Sequence, residues 1–357
     1  MDPAALRAQF PIFERRAYLN AGTCGPLPAA AASRARAAIE QATNEGRFGA
    51  YFQALLDGRS RLRDAYAQLL GAARDDVALT TSTSDGVVRV LTALDLEPGD
   101  EVLISDEEHP GITGPLSAAR AQREIAVRVV PFDELAASVA PETRLVATSH
   151  VSWIRGALAP DLSGLGDVPV LLDGAQGIGG VPVDVTALGC AFYAGSGQKW
   201  LCGPIGTGML WISPEWNDRV PATGPSYPNL ATPNAGLDAV PHAGAARLDA
   251  GIPSLEILEG ALAALDVLSE AGWDAVHERA AVLAQSLVDE LADRGLEVAP
   301  RDRTPLVSWS DPDPPATRDR LAEAGVILRD LPGTDLLRAS VGAWNDESDL
   351  ERLLAAL

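Results

Sequence analysis

Lys199 is the one lysine of this chain; every other member of its 28 Lys and Arg residues is arginine. Arginine stays protonated and serves charge and solubility, whereas lysine can lose its proton and attack a carbonyl carbon. The segment around it, Ala191-Phe-Tyr-Ala-Gly-Ser-Gly-Gln-Lys-Trp-Leu-Cys-Gly-Pro-Ile-Gly-Thr-Gly208, is apolar, aromatic and glycine-rich. That setting suits a nucleophile in a dry site better than a stray surface charge. One strand upstream, Asp173 ends the run Val170-Leu-Leu-Asp. In isolation it reads as a helix N-cap. With a second strand and the lone lysine following, it reads as a buried carboxylate that needs a cationic partner, and a protonated ring nitrogen would serve.

A sheet must carry both residues. The 357 residues are 47% apolar and 22% charged, enough for a sizeable core. A formal charge of −21 repels polyanions, so neither nucleic acid nor an anionic membrane surface is an expected partner. The opening lacks the pattern of a signal peptide, and no apolar run approaches the roughly 18 residues of a membrane span, so a cytoplasmic location is expected. Three cysteines, Cys24, Cys190 and Cys202, form an odd set without metal-ligand spacing. No disulfide framework and no metal site are expected.

The middle of the chain repeats aliphatic runs, glycine-rich or polar turns and Ala/Leu-rich helical stretches, the rhythm of an α/β domain with a mostly parallel sheet. Strands are expected at Val77–Thr80, Glu101–Ile104, Arg128–Val130, Leu145–Thr148, Val170–Leu172, Cys190–Ala194 and Gly208–Ile212, with helices at Ala29–Asn44, Tyr51–Leu70 and Gly86–Leu94. Such sheets bind ligands beyond the carboxyl ends of their strands. After Arg247 the pattern turns to amphipathic helices, Ser254–Leu268 and Trp273–Arg294, and short strands, Leu306–Ser308, Val326–Leu328 and Leu336–Ser340. The expected organisation is a large domain over 17–247 and a small α+β domain from 1–16 and 248–357. Pro225–Val240 reads as a loop over the site, an interface arm or plain surface.

The ordered set Asp173-x-x-Gln176, Asp184-x-x-x-Leu188 and Phe192-Tyr193-x-x-Ser196-Gly197-Gln198-Lys199-Trp200-x-x-Gly203-Pro204-x-Gly206-x-Gly208 resembles the class V aminotransferase and cysteine desulfurase family of pyridoxal phosphate enzymes, fold type I. The resemblance implies a seven-stranded, mostly parallel large-domain sheet and a homodimer. It makes Lys199 the residue that carries the cofactor, Asp173 the partner of the pyridine nitrogen and Gln176 a neighbour of the ring hydroxyl. Ser196 and Gln198 would touch the phosphate; the family usually has His in place of Gln198, and an amide can still donate. Ser82, Thr83 and Ser84 open a helix after a strand, and backbone N–H groups there suit a phosphate, although the same residues also make an ordinary helix cap. Glu108-His109 resembles the family's Glu-His pair, whose His stacks on the cofactor ring. Asn20 and Ala21 fall in the N-terminal turn that faces substrate, Trp153 would wall the pocket, and Arg338 would grip the substrate carboxylate. Ile252 stands where relatives often place a threonine that reaches the neighbouring subunit's phosphate.

Desulfurases of this family use a cysteine shortly before the carboxylate-binding arginine, and the stretch Val326–Arg338 has none. Cys24, in the N-terminal turn, reads as an inert thiol before it reads as a substitute. Ser149–Gly156 with Leu201–Pro204 resembles the branch containing cysteine and cystine C–S lyases. The expected activity is β-elimination on a cysteine-type amino acid without an enzyme persulfide, with transamination or epimerisation as alternatives. An intact Lys199 and Asp173 argue against a catalytically silent scaffold, and no strand is followed by the Gly-x-Gly-x-x-Gly of a nicotinamide site.

Overall fold

The computed structural model describes residues 1–357. Helix α1 (Pro3–Ala8) is capped by Asp2, whose carboxylate accepts from the backbone N–H groups of Ala4 and Ala5. Strand β1 (Ala17–Tyr18) and the long helices α2 (Ala29–Glu45) and α3 (Ala50–Leu70) follow. The central sheet is then laid down as β2 (Val77–Thr80), β3 (Glu101–Ser105), β4 (Ala126–Val130), β5 (Thr143–Ser149), β6 (Val170–Asp173), β7 (Phe192–Ser196) and β8 (Gly208–Ile212). Their spatial order is β2-β8-β7-β6-β5-β3-β4. Only β8 runs against its neighbours.

Burial explains the sequence pattern. Every residue of β2, β6, β7 and β8 is buried, since a sheet covered on both faces needs apolar side chains at each position rather than at alternate ones. Leu79, Leu103, Val146 and Leu172 point to one cluster, shared with α3 and α7 (Leu255–Ala271). Ala78, Val102, Leu145 and Leu171 point to the opposite one, shared with α4 (Thr83–Ala93) and α5 (Pro110–Arg123). The chain crosses from β4 back to β5, so strand order reverses between β3 and β5, and a ligand crevice is expected at their carboxyl ends.

Beyond β8 come the single-turn α6 (Pro214–Asn217), α7, α8 (Trp273–Asp293), β9 (Leu306–Ser310), α9 (Pro314–Glu323), β10 (Val326–Ile327), β11 (Arg329–Asp330), β12 (Leu336–Ser340) and α10 (Glu347–Ala356). Strands β11, β12 and β9 form an antiparallel sheet, and β10 pairs in parallel with β1. A third apolar cluster joins Ala17 and Leu19 to Leu287, Trp309, Leu337 and Leu353. Helix α7 packs along α2 and α3, so contacts run without a break across residue 247.

Three elements differ from the sequence reading in ways that matter for the site. Helix α4 starts at Thr83 rather than Gly86, because Ser82 Oγ caps it by accepting from Asp85 N at 3.1 Å. Strand β7 is shifted to Phe192–Ser196 from the expected Cys190–Ala194, held by the pairings Leu171–Phe192 and Ser196–Gly208. Helix α5, absent from that reading, begins at Pro110 with His109 as its cap.

Candidate active site

The carboxyl ends of four strands deliver the chemistry. Thr80, Gly208 and Ser196 lie side by side across β2, β8 and β7, which brings the Ser82–Ser84 turn beside Ser196. Thr83 Oγ1, Ser196 Oγ and Gln198 Oε1 are buried there without a partner. Buried polar atoms are nearly always paired, so two orphaned hydroxyls beside a helix N-terminus fit an anion such as a phosphate, to which the Gln198 NH2 can also donate. Ser82 Oγ accepts from Asp85 N in the helix cap, which leaves its own proton free to donate.

Asp173 ends β6, buried, with Oδ1 accepting from Ala175 N at 2.9 Å. Burial pushes its carboxyl upward, against the pull of the Lys199 ammonium. Lys199, half-buried in the turn after β7, is pushed down to about 8, first by desolvation and then by the positive charges of Arg338 and Arg329, with Asp173 opposing. A substantial neutral fraction at ordinary pH is what a nucleophilic amine requires. The turn closes with Cys202 N donating to Lys199 O at 3.1 Å and Cys202 in the left-handed region at φ 54°, a conformation that costs a non-glycine residue about 1–2 kcal/mol.

Gly111 marks where three predicted residues meet: a Cβ there would lie 2.7 Å from Ser84 Oγ, 3.2 Å from His109 Nδ1 and 3.8 Å from Asp173 Oδ2. His109 Nδ1 accepts from Gly111 N at 3.0 Å, which leaves the ring proton on Nε2. Burial, then Lys199, Arg329 and Arg338, push the imidazole down to about 4, so it is neutral. Its ring meets Trp153 edge-on at 5.0 Å. Glu108, next to it, is buried and accepts from Ser105, Thr148 and Ser149, with no cation paired to it.

Gln176 bridges two walls: its amide nitrogen donates to Gly22 O at 2.8 Å and its oxygen accepts from Trp200 Nε1 at 2.9 Å. Above it the turn that contains Asn20 and Ala21 is tied to the lysine segment by Gly25 N donating to Gln198 O at 2.8 Å, and to β12 by a bridge between Asn20 and Ser340. Arg338 is fully buried. Its Nη1 donates to Trp153 O at 2.6 Å, while Nε and Nη2 have no partner. A Cβ on Gly22 would come within 2.9 Å of Nη2 and 2.8 Å of the equally unpaired Ser340 Oγ, so the missing side chain keeps open the space before the guanidinium.

The sequence reading missed Arg329. It is the register partner of Arg338 on the neighbouring antiparallel strand, lies 5.8 Å above the Trp153 ring and donates to Thr23 Oγ1 at 3.4 Å. No carboxylate pairs with it. Two arginines flanking a short hairpin were the available signal. Ile252 packs against the main apolar cluster, and Cys24 is a half-buried free thiol whose carbonyl accepts from Tyr18 Oη at 2.9 Å. No cluster of His, Cys, Asp and Glu has the arrangement of a metal site, and no helix is long and apolar enough to cross a membrane.

Comparison with known proteins agrees with this geometry. A model described as aminotransferase class-V matches residues 52–353. A probable cysteine desulfurase of Pseudomonas aeruginosa is 30% identical over 316 residues, 79% of this chain and 77% of that protein. An isopenicillin N epimerase of Amycolatopsis lactamdurans is 30% identical over 384 residues, 95% of this chain and 94% of that protein. The solved complex of the cystine C–S lyase C-DES with its product cysteine persulfide superposes with a TM-score of 0.91 at 28% identity, over 97% of this chain and 98% of that one.

Proposed function

The chain belongs to the aminotransferase class V family of pyridoxal phosphate enzymes, and from that premise we propose that it is a C–S lyase that eliminates sulfur from Cβ of a cysteine-type amino acid. The bound cofactor supplies an aldehyde for covalent attachment and a protonated ring that draws electrons from the substrate Cα. The chain's residues fit that group: the orphaned Thr83 and Ser196 hydroxyls and the Gln198 NH2 would donate to its phosphate, Asp173 would face its ring nitrogen, and neutral His109 its face.

Lys199 would hold the cofactor at rest, and its Nζ is the amine placed to take the Cα proton. Arg338 fixes the substrate carboxylate with its two free N–H groups, which sets the Cα–H bond toward Lys199. Sulfur then leaves Cβ with the bonding pair, and the three-carbon remainder ends as pyruvate and ammonia after water adds. No cysteine side chain is needed in the sequence of steps, in keeping with the cysteine-free stretch before Arg338.

The observation that carries the reading is the Arg329–Arg338 pair. Two guanidinium groups at one mouth suit an amino acid with acidic groups at both ends, and the disulfide amino acid cystine is such a molecule. Epimerisation is the second reading, favoured by the epimerase relative that spans nearly the whole chain. It requires an acid across the cofactor from Lys199, and an imidazole held neutral donates a proton poorly. Transamination would require a keto acid as second substrate.

We further propose a cytoplasmic homodimer. Phe52 and Leu56, one helical turn apart on α3, are 44% and 37% exposed, and with Phe48 in the preceding bend, 75% exposed, offer an apolar patch for the partner. The deciding experiment is product analysis of the holoenzyme with cystine and with cysteine. Pyruvate and a sulfur product without added keto acid are expected; a rate that depends on a keto acid, or inversion at Cα alone, refutes the lyase assignment.

A further inference from the structure

Strands β3 and β5 part before they end. Their ladder stops at Leu103–Val146; beyond it Ile104 and Ser105 pair only with β4, and Ala147–Ser149 only with β6. The gap coincides with the reversal of strand order, beneath the turn that carries His109 and the segment that carries Trp153. Glu108 fills it. One carboxylate oxygen accepts from Ser105 Oγ at 2.5 Å on the β3 side and from Thr148 Oγ1 at 2.7 Å and Ser149 N at 3.1 Å on the β5 side. The other accepts from Ser149 N at 3.0 Å and Ser149 Oγ at 2.8 Å. Its neighbour Glu107 ties the same turn to Ser152 and, at 2.6 Å, to Arg155.

We propose that Glu108 is a positioning residue: by spanning the parted ends of β3 and β5 it fixes His109 against Trp153, and so fixes the imidazole over the cofactor ring. Stability alone does not account for a carboxylate here. The groups packed on it are hydroxyls and one N–H, while the charged side chains of its surroundings face elsewhere, Glu107 to Arg155 and His109 to Trp153. Burial without a cation pushes its carboxyl up to about 7. Between the ordinary carboxylate range and that value the native state holds a proton that the unfolded chain has released, so Glu108 lowers stability as pH rises through that window. A neutral residue would relieve this cost.

Two substitutions separate span from charge. Glu108→Gln keeps the span, since its oxygen can accept from Ser149 while its NH2 donates to the Ser105 and Thr148 hydroxyls. Glu108→Leu keeps much of the volume and none of the bonds. The holoenzymes are compared by kcat, KM, melting temperature and the visible circular dichroism of the bound cofactor without substrate. The Gln variant is expected to keep kcat within about threefold and to be at least as stable at pH 8. The Leu variant is expected to fold and hold cofactor with KM within about twofold, yet to lose roughly ten- to a hundredfold in kcat, the scale of a misplacement near 1 Å, and to show an altered dichroic band.

If Glu108→Leu does not fold, Glu108→Asp decides: it keeps the charge but is one methylene too short to reach both strands, and must show the same loss. Full kcat with an unchanged band in a folded Leu or Asp variant overturns the proposal. So does a Gln variant as damaged as Leu, since charge and not span would then be responsible. The inference rests on the assignment of His109 to the cofactor ring. The substrate-free band reads that contact whichever amino acid is turned over, so an error in the reaction leaves this arm standing.

Discussion

Replacing Arg338 by lysine isolates the substrate clamp from everything else in the site. The guanidinium is fully buried, anchored through Nη1 to Trp153 O at 2.6 Å, and presents Nε and Nη2 unpaired toward the space over Gly22. Burial and the neighbouring Arg329 push it down to about 9, so it remains cationic at neutral pH. Lysine keeps the charge but replaces a planar fork with a point donor, and cannot hold Trp153 O while making two parallel bonds to a carboxylate. At least one charge-assisted hydrogen bond is lost, worth about 1.5–3 kcal/mol. At about 1.4 kcal/mol per decade this predicts a fall in kcat/KM of roughly ten- to 150-fold. Because the grip both binds the carboxylate and sets the Cα–H bond toward Lys199, the loss is shared between KM and kcat. The assay is initial-rate pyruvate formation over a range of amino acid concentration, with cofactor absorbance as the control for occupancy. An analogue lacking the carboxylate should be turned over equally by both proteins. Unchanged kcat/KM, or an equal loss on that analogue, refutes the argument.

Three further outcomes follow from the same geometry. Asp173→Asn should fold, hold cofactor and turn over far more slowly than wild type, measured by single-turnover rates; because burial raises the native carboxyl, the wild-type apoenzyme loses stability as pH rises above the unfolded range, and the Asn apoenzyme should melt no lower at pH 7. Uptake of pyridoxal phosphate by the apoenzyme, followed by absorbance, should accelerate with pH through a midpoint at about 8, where half of the Lys199 amine is neutral, and then level off, and borohydride should fix the cofactor on the Lys199 peptide; a flat profile or an adduct elsewhere contradicts the assignment. Arg329→Gln should lower kcat/KM for cystine by at least about tenfold, the worth of one charge-assisted bond, while sparing substrates with one carboxylate; equal effects on both would remove Arg329 from substrate recognition.

Local chemistry was readable in the sequence wherever one strand and the turn after it hold all the parts. Asp173 and Ser196 end two largely apolar strands, Gln198 and Lys199 follow the second, and the structure places all four at one sheet end. What sequence could not show depends on residues brought together from afar. Arg329 acquires meaning only when β11 folds back on β12 and sets it beside Arg338. His109 was legible only through its resemblance to a Glu-His pair, whereas its role as the cap of α5, with Pro110 at the first helical position, emerges in the structure. The shift of β7 by two residues has a similar origin: Cys190 and Ala191 are as apolar as the strand itself, and only its partners β6 and β8 fix where pairing begins.

The pairing of β1 with β10 and the bridge from Asn20 to Ser340 join the chain's beginning to β10 and to the end of β12, two residues past Arg338. Five residues beyond Asn20, the same turn is bonded to Gln198, the residue before the lysine. Upstream, Arg7 is ionically tied to Asp346 and Asp349 at 3.0 and 2.6 Å. The opening segment is therefore a tether between the two halves of the catalytic machinery, and its length fixes how far they can separate.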